Sequence, residues 1–143
     1  MPKKICIING PNLNMLGSRE PEIYGHQTLG DIEVMCKEKA DALGFEVAFS
    51  QSNIEGELVD MIQQAASDAS GVIINAGAYT HTSVALYDAL KLLNMPIIEV
   101  HLSNPGARES FRHNSFITPA AKGVIAGFGA QSYLLALDVL TSH

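Results

Sequence analysis

The sequence predicts a doubly wound, five-stranded parallel α/β sheet with strand order 2-1-3-4-5. Short apolar runs alternate five times with stretches of helical period. The runs are too continuous for a strand with one wet face, so helices are expected on both sides of the sheet. At 143 residues the chain suits one domain with one sizeable core. Right-handed crossovers then favour this order and set its switch point between strands one and three.

Ile5-Cys6-Ile7-Ile8, closed by Asn9-Gly10-Pro11, reads as a buried strand and turn. Thr28-Leu29-Gly30-Asp31 resembles a capping box opening a helix that Gly44 ends. Phe45 to Ser50 is the second strand. Glu57 to Ala69 places Leu58, Met61, Ile62, Ala65 and Ala66 on one helical face, and Gly71 follows. Val72-Ile73-Ile74 is the third strand, and Thr82 or Ser83 caps a helix carrying Val84, Leu86, Leu90 and Leu93. Pro96 opens the fourth strand, Ile97 to His101, at a position where proline is tolerated. Gly123 to Phe128 is the fifth strand, and Gln131 to Leu140 the last helix. Residues 1–143 form a single domain. Its one abnormal connection, residues 10 to 27, is far longer than a strand-to-helix joint needs, and about 18–26 read as a lid.

The formal net charge is −6 and no lysine-rich run occurs, which argues against nucleic acid or an anionic membrane as partner. Cys6 and Cys36 lack metal-like spacing and read as buried free thiols, which fits a cytoplasmic protein. The apolar run of the N-terminus is too short for a signal h-region, and nothing approaches a membrane span.

Ligands of open parallel sheets bind at the C-terminal ends of the strands. All three arginines, Arg19, Arg108 and Arg112, fall in loops leaving that edge, as do His26, His81, His101 and His113. None of the six lysines does. A small anionic ligand is therefore expected, and no amine stands ready for imine chemistry. There is no G-x-G-x-x-G after the first strand and no Walker pattern. A flavin phosphate held by loops stays open as an alternative, in a non-catalytic binding domain. A phosphorylated receiver domain would need acidic residues where Asn9 and Asn75 stand. No carboxylate or thiolate is spaced beside His81, His101 and His113 as a ligand set, so no metal is expected. His26 and His143 read as hydrogen-bonded structural histidines.

His101 ends a buried strand with Glu99 two residues before it on the same face. A carboxylate beside an imidazole orients the ring and favours its protonated form, as a general acid requires. Tyr24 lies in the lid, five residues from Arg19. Free tyrosine titrates near pH 10, so a phenolate base needs a nearby cation. One guanidinium at about 4 Å supplies interaction of the required order, about 4 kcal/mol.

Asn9-Gly10-Pro11-Asn12-Leu13-Asn14 and Gly17-x-Arg19-Glu20-Pro21-x-x-Tyr24-Gly25 closely resemble the N-terminal signature of the type II 3-dehydroquinate dehydratases. Gln51-Ser52-Asn53-x-Glu55-Gly56, Asn75 through Ser83, Glu99 through Asn104 and Arg108-Glu109-x-Phe111-Arg112 agree with it. So does the segment from Gly123 to Gly129, and the likeness spans essentially the whole chain. Pro105-Gly106 departs from the usual pattern, although Asn104-Pro105 can still cap a short helix.

The resemblance implies a flavodoxin-like fold and a hydro-lyase that converts 3-dehydroquinate to 3-dehydroshikimate by anti elimination, without cofactor or metal. It implies Tyr24 as the base, Arg19 and Arg108 as its positive field, and Asn12 as holder of a water at the enolate oxygen. His101, oriented by Glu99, is implied as the acid. Asn75, Leu102 and Ser103 resemble the substrate carboxylate site, and His81, Asp88 and Arg112 the groups that bind its hydroxyls. Asp88 would act near a subunit contact, within a dodecamer built from trimers.

Overall fold

A computed structural model describes residues 3–18 and 20–142 of the chain. Its strands are β1 (Lys3–Asn9), β2 (Phe45–Gln51), β3 (Gly71–Asn75), β4 (Ile97–His101) and β5 (Gly123–Ala126). Its helices are α1 (Pro21–Tyr24), α2 (Leu29–Ala42), α3 (Glu55–Asp68), α4 (Val84–Leu90) and α5 (Gln131–Thr141). All neighbouring strands pair in parallel, in the order β2-β1-β3-β4-β5, as the sequence predicts.

The strand period of two divides the core between the sheet's faces. Ile5, Ile7, Ile73, Ile98 and Val100 pack with Ile32 and Cys36 of α2 and Tyr133 and Leu137 of α5. On the other face Ile8, Val72, Ile74 and Ile97 pack with Leu58 and Ile62 of α3 and Leu86 and Leu90 of α4. Only β3 and β4 are buried along their whole length, whereas β2 and β5 are half-exposed edges. The expectation that no strand has a wet side therefore fails at the two edges, which lack neighbours on one flank.

Local chemistry sets the helix ends. Thr28 and Asp31 form the full capping box of α2: the Asp31 amide donates to Thr28 Oγ1 at 3.1 Å, and the Thr28 amide to Asp31 Oδ2 at 3.0 Å. Ser83, not Thr82, caps α4, its hydroxyl accepting from the Leu86 amide at 3.0 Å. Helix α3 begins at Glu55, two residues before the predicted start, because the Ser52 hydroxyl already accepts the Ile54 amide. Strand β5 stops at Ala126, short of the predicted Phe128, where Gly127 turns to φ 96°.

The long connection of residues 10–27 is packed in its first part. Leu13 and Leu16 are buried in the core under a 3-10 turn over Leu13–Met15, so the first half of the segment is anchored. The remainder carries α1. Gly10 explains how this segment leaves the sheet: a Cβ there would lie 2.3 Å from the Ala76 carbonyl oxygen. Gly10→Ala is expected to cost about 2 kcal/mol or more of stability, read as a lower denaturant midpoint, because backbone must move to accept it.

Cys36 is fully buried, and burial pushes its thiol up to about 12. Cys6 is half-buried, less enclosed than predicted. Both are free thiols. Among the described residues no helix is long and apolar enough to cross a membrane.

Candidate active site

At the C-terminal edge of the sheet, the loops after β1, β3 and β4 and helix α1 enclose a cleft of about 580 Å³, open mouth included. Asn12 comes from the first loop, Asn75 and His81 from the second, Leu102, Ser103, Arg108 and Arg112 from the third, and Tyr24 from α1. His101 closes the wall. The fold thus brings together nine of the twelve residues singled out as catalytic or substrate-binding.

The other three differ. Glu99 stands behind His101 and reaches the cleft through it. Asp88 is exposed on α4 and does not line the cleft, so the single chain does not bring it to the site. Arg19 lies outside the described residues, as does His143. His26 is exposed, not the buttressed structural histidine that was expected.

Tyr24 is half-buried against the core. Arg108 Nη1 donates to its phenol oxygen at 2.9 Å and to Ser103 Oγ at 3.2 Å. The Arg108 guanidinium also lies 5.2 Å from the centre of the Tyr24 ring. Glu109 steadies both arginines of this loop, 3.6 Å from Arg108 Nε and 3.0 Å from Arg112 Nε. Its carboxyl is held below the ordinary carboxylate range by its own backbone amide and then by Arg112. His113 Nε2 donates to the Arg108 carbonyl at 2.9 Å. The Asn104 side chain accepts the Gly106 amide at 3.1 Å, so the unusual Pro105-Gly106 pair sits in a capped 3-10 turn.

Strand spacing sets the second titratable pair. Glu99 and His101 lie on one face of β4, both buried, and His101 Nε2 donates to Glu99 Oε2 at 2.5 Å. A carboxylate can only accept, so Nε2 carries a proton and Nδ1 is the ring nitrogen left for a ligand. Glu99 also accepts from Ser115 Oγ at 3.0 Å and Thr118 Oγ1 at 2.5 Å. Burial works to raise its pKa, but hydrogen bonds from His101, Thr118 and Ser115 and the imidazolium charge outweigh it. The carboxyl therefore lies below its ordinary value.

Asn75 is fixed by a relay that the sequence reading missed. Its Nδ2 donates to Tyr133 Oη at 3.0 Å, and that hydroxyl donates to Asn9 Oδ1 at 2.6 Å. Asn9 Nδ2 in turn donates to the Ser50 carbonyl at 3.0 Å. The relay fixes which end of the Asn75 amide is nitrogen and leaves its second N–H for the cleft. Burial raises the Tyr133 hydroxyl well above an ordinary phenol, so it stays a donor. A lone tyrosine on the apolar face of α5 gave no signal beyond core packing.

Asn12 adopts left-handed backbone, φ 69°, and its amide donates to Asn53 Oδ1 at 2.9 Å. Gln51 Nε2 braces the same turn through the Gly10 carbonyl, 3.1 Å away, and Asn53 Oδ1, 3.2 Å away. Asn is among the few side chains that tolerate this conformation. His81 Nδ1 donates to the Asn114 carbonyl at 2.8 Å, which leaves Nε2 for the cleft. Among the described residues no group of three or more metal-type ligands stands together.

Paired donors for an anion, a phenol on a guanidinium and an imidazole on a carboxylate make the arrangement suited to moving protons on a small anionic molecule. The model of the family described as dehydroquinase class II matches residues 3–141. The 3-dehydroquinate dehydratase of Dinoroseobacter shibae is 60% identical over 97% of this chain and 93% of its own length. That of Rhizobium meliloti is 60% identical over 98% and 95%. The crystal structure of type II dehydroquinase from Propionibacterium acnes superposes with TM-score 0.97 at 44% identity, over 100% of this chain and 99% of that one. A family match across nearly the whole domain, on the same fold, means that the chain belongs to the class II dehydroquinases.

Proposed function

We propose that this protein is a hydro-lyase of the shikimate pathway that dehydrates 3-dehydroquinate to 3-dehydroshikimate by anti elimination, without cofactor or metal. One observation carries the reading: a phenol held by Arg108 and an imidazole held by Glu99 line the same cleft. Tyr24, as phenolate, removes the proton α to the ketone. Arg108 stabilises that charge, a role that the family resemblance also gives to Arg19. The Asn12 loop supports the enolate oxygen, a position where preorganised donors act most strongly. His101 then gives its Nδ1 proton to the departing hydroxyl. Asn75, Leu102 and Ser103 hold the carboxylate, and His81 and Arg112 the ring hydroxyls.

The test is the ultraviolet absorbance of the conjugated enone formed from 3-dehydroquinate. No absorbance change under saturating substrate would sink the reading. Borohydride added with substrate should leave activity intact, since none of the described residues lining the cleft is a lysine; covalent inactivation would reveal an imine. Asn53→Ala frees the Asn12 amide and should lower kcat by about tenfold with little change in KM. That is less than the roughly 10²–10³-fold cost of deleting an oxyanion donor.

The working unit is a homo-oligomer, a dodecamer built from trimers. Asp88 supports this, being exposed on α4 where only a neighbouring copy can carry it to a cleft. Light scattering at the mass of twelve chains tests it. The two free thiols fit a cytoplasmic location.

A further inference from the structure

A second hollow of about 500 Å³, its open mouth included, shares with the substrate cleft the wall formed by His81, His101, Pro105 and Arg112. Thr80, Glu99, Ser115, Thr118 and Val124 complete it, and Tyr24, Asn12 and Asn75 take no part. One group there is out of place. Thr80 is 1% exposed, and its hydroxyl is buried without a hydrogen-bond partner among the described residues. An unsatisfied buried hydroxyl is costly, so Thr80 marks a place suited to a water with other polar neighbours. The hydroxyls of Ser115 and Thr118 line the same hollow and donate to Glu99, the partner of the imidazole.

The elimination sets a demand that this hollow meets. The C–H bond breaks and its proton goes to the Tyr24 oxygen, while its electron pair forms the new C=C bond. The C–O bond breaks, and the hydroxide leaves as water with a proton from His101. After each turnover Tyr24 holds one proton too many, His101 one too few, and one water must depart. The substrate cleft is then filled by product.

We propose that the second hollow is the solvent port of His101, through which a proton returns from solvent to the imidazole, while Tyr24 gives its proton to solvent as product and water leave by the mouth of the substrate cleft. The inference rests on the dehydratase reading, with His101 as the acid. Thr80 lies in the wall of the port, and Val124, 45% exposed on the edge strand, at its rim.

Two variants test the port without altering Glu99, His101 or the substrate cleft. Val124→Phe narrows the rim, and Thr80→Val removes the hydroxyl at constant shape. For each, kcat should fall about tenfold with KM within about twofold, as a proton step comes to limit turnover. The solvent deuterium isotope effect on kcat should rise above that of the unaltered enzyme. Added imidazole, a small proton carrier, should restore part of the rate, which a merely structural defect would not permit. If both variants match the unaltered enzyme in kcat and isotope effect, the port is refuted while the dehydratase reading stands. If kcat falls without a larger isotope effect and without rescue, the port is likewise refuted. Should the unaltered protein form no enone, both fall together.

Discussion

Tyr24→Phe should bind 3-dehydroquinate and fail to turn it over. The substitution removes one oxygen from a half-buried ring and leaves the ring's packing in place. Arg108 loses its 2.9 Å partner but keeps Ser103 at 3.2 Å and Glu109 at 3.6 Å, so the guanidinium stays at the wall of the cleft. The groups proposed to hold the carboxylate and hydroxyls are untouched. What disappears is the only acceptor proposed for the carbon-bound proton. Positioned general bases contribute about 10²–10⁴-fold, and kcat should fall by at least that factor. Calorimetric affinity for substrate should stay within a few-fold. A variant retaining a sizeable share of turnover would remove Tyr24 from the mechanism.

Glu99→Gln should impair both chemistry and stability. The carboxylate accepts from three donors in a site only 1% exposed. An amide of the same shape can keep its oxygen toward His101 Nε2–H and Ser115 and turn its NH2 toward Thr118 Oγ1, whose hydroxyl rotates to accept. What it cannot supply is the negative charge that favours the imidazolium. The acid is weakened, and kcat should drop by about 10²-fold or more. Exchanging charge-assisted hydrogen bonds for neutral ones should also cost about 1–3 kcal/mol at pH 7.

The pH dependence of that loss has a definite sign. The folded Glu99 carboxyl lies below its ordinary value. Its contribution is thus fully present above the unfolded carboxylate pKa of about 4.3 and is lost as pH falls through the lower folded value. Urea denaturation should show the stability gap between parent and Glu99→Gln narrowing as pH falls below about 4. A gap that stays constant down to the lowest accessible pH would mean the carboxylate is not held as described.

Much of this site was legible because its signals are local. Asn9-Gly10-Pro11 marks the exit of β1, and Gly10 proves to be the one residue that fits beneath Ala76. Glu99 and His101 share a face by strand period alone, and the observed bond between them follows. The partners of Glu99 were not legible. Ser115 and Thr118 lie in an irregular segment, 16 and 19 residues away, whose path depends on packing. The anchoring of the long connection ahead of residue 18 was not legible either, because Leu13 and Leu16 read as loop residues until the core beneath them is known.

Sequence by itself determined the five strands, the helices that follow four of them and the edge at which arginines and histidines gather. The fifth alternation it predicted fails after β4, where short 3-10 turns replace a helix. Apolar period is a property of neighbouring residues, and in a parallel sheet every strand ends on the same side. Tertiary structure alone decided which of those residues meet. Tyr24 reaches Arg108 across 84 positions, and Tyr133 reaches Asn9 across 124. Such pairings depend on side-chain reach between loops that only the packed sheet brings within a few ångströms, and no local pattern encodes that distance.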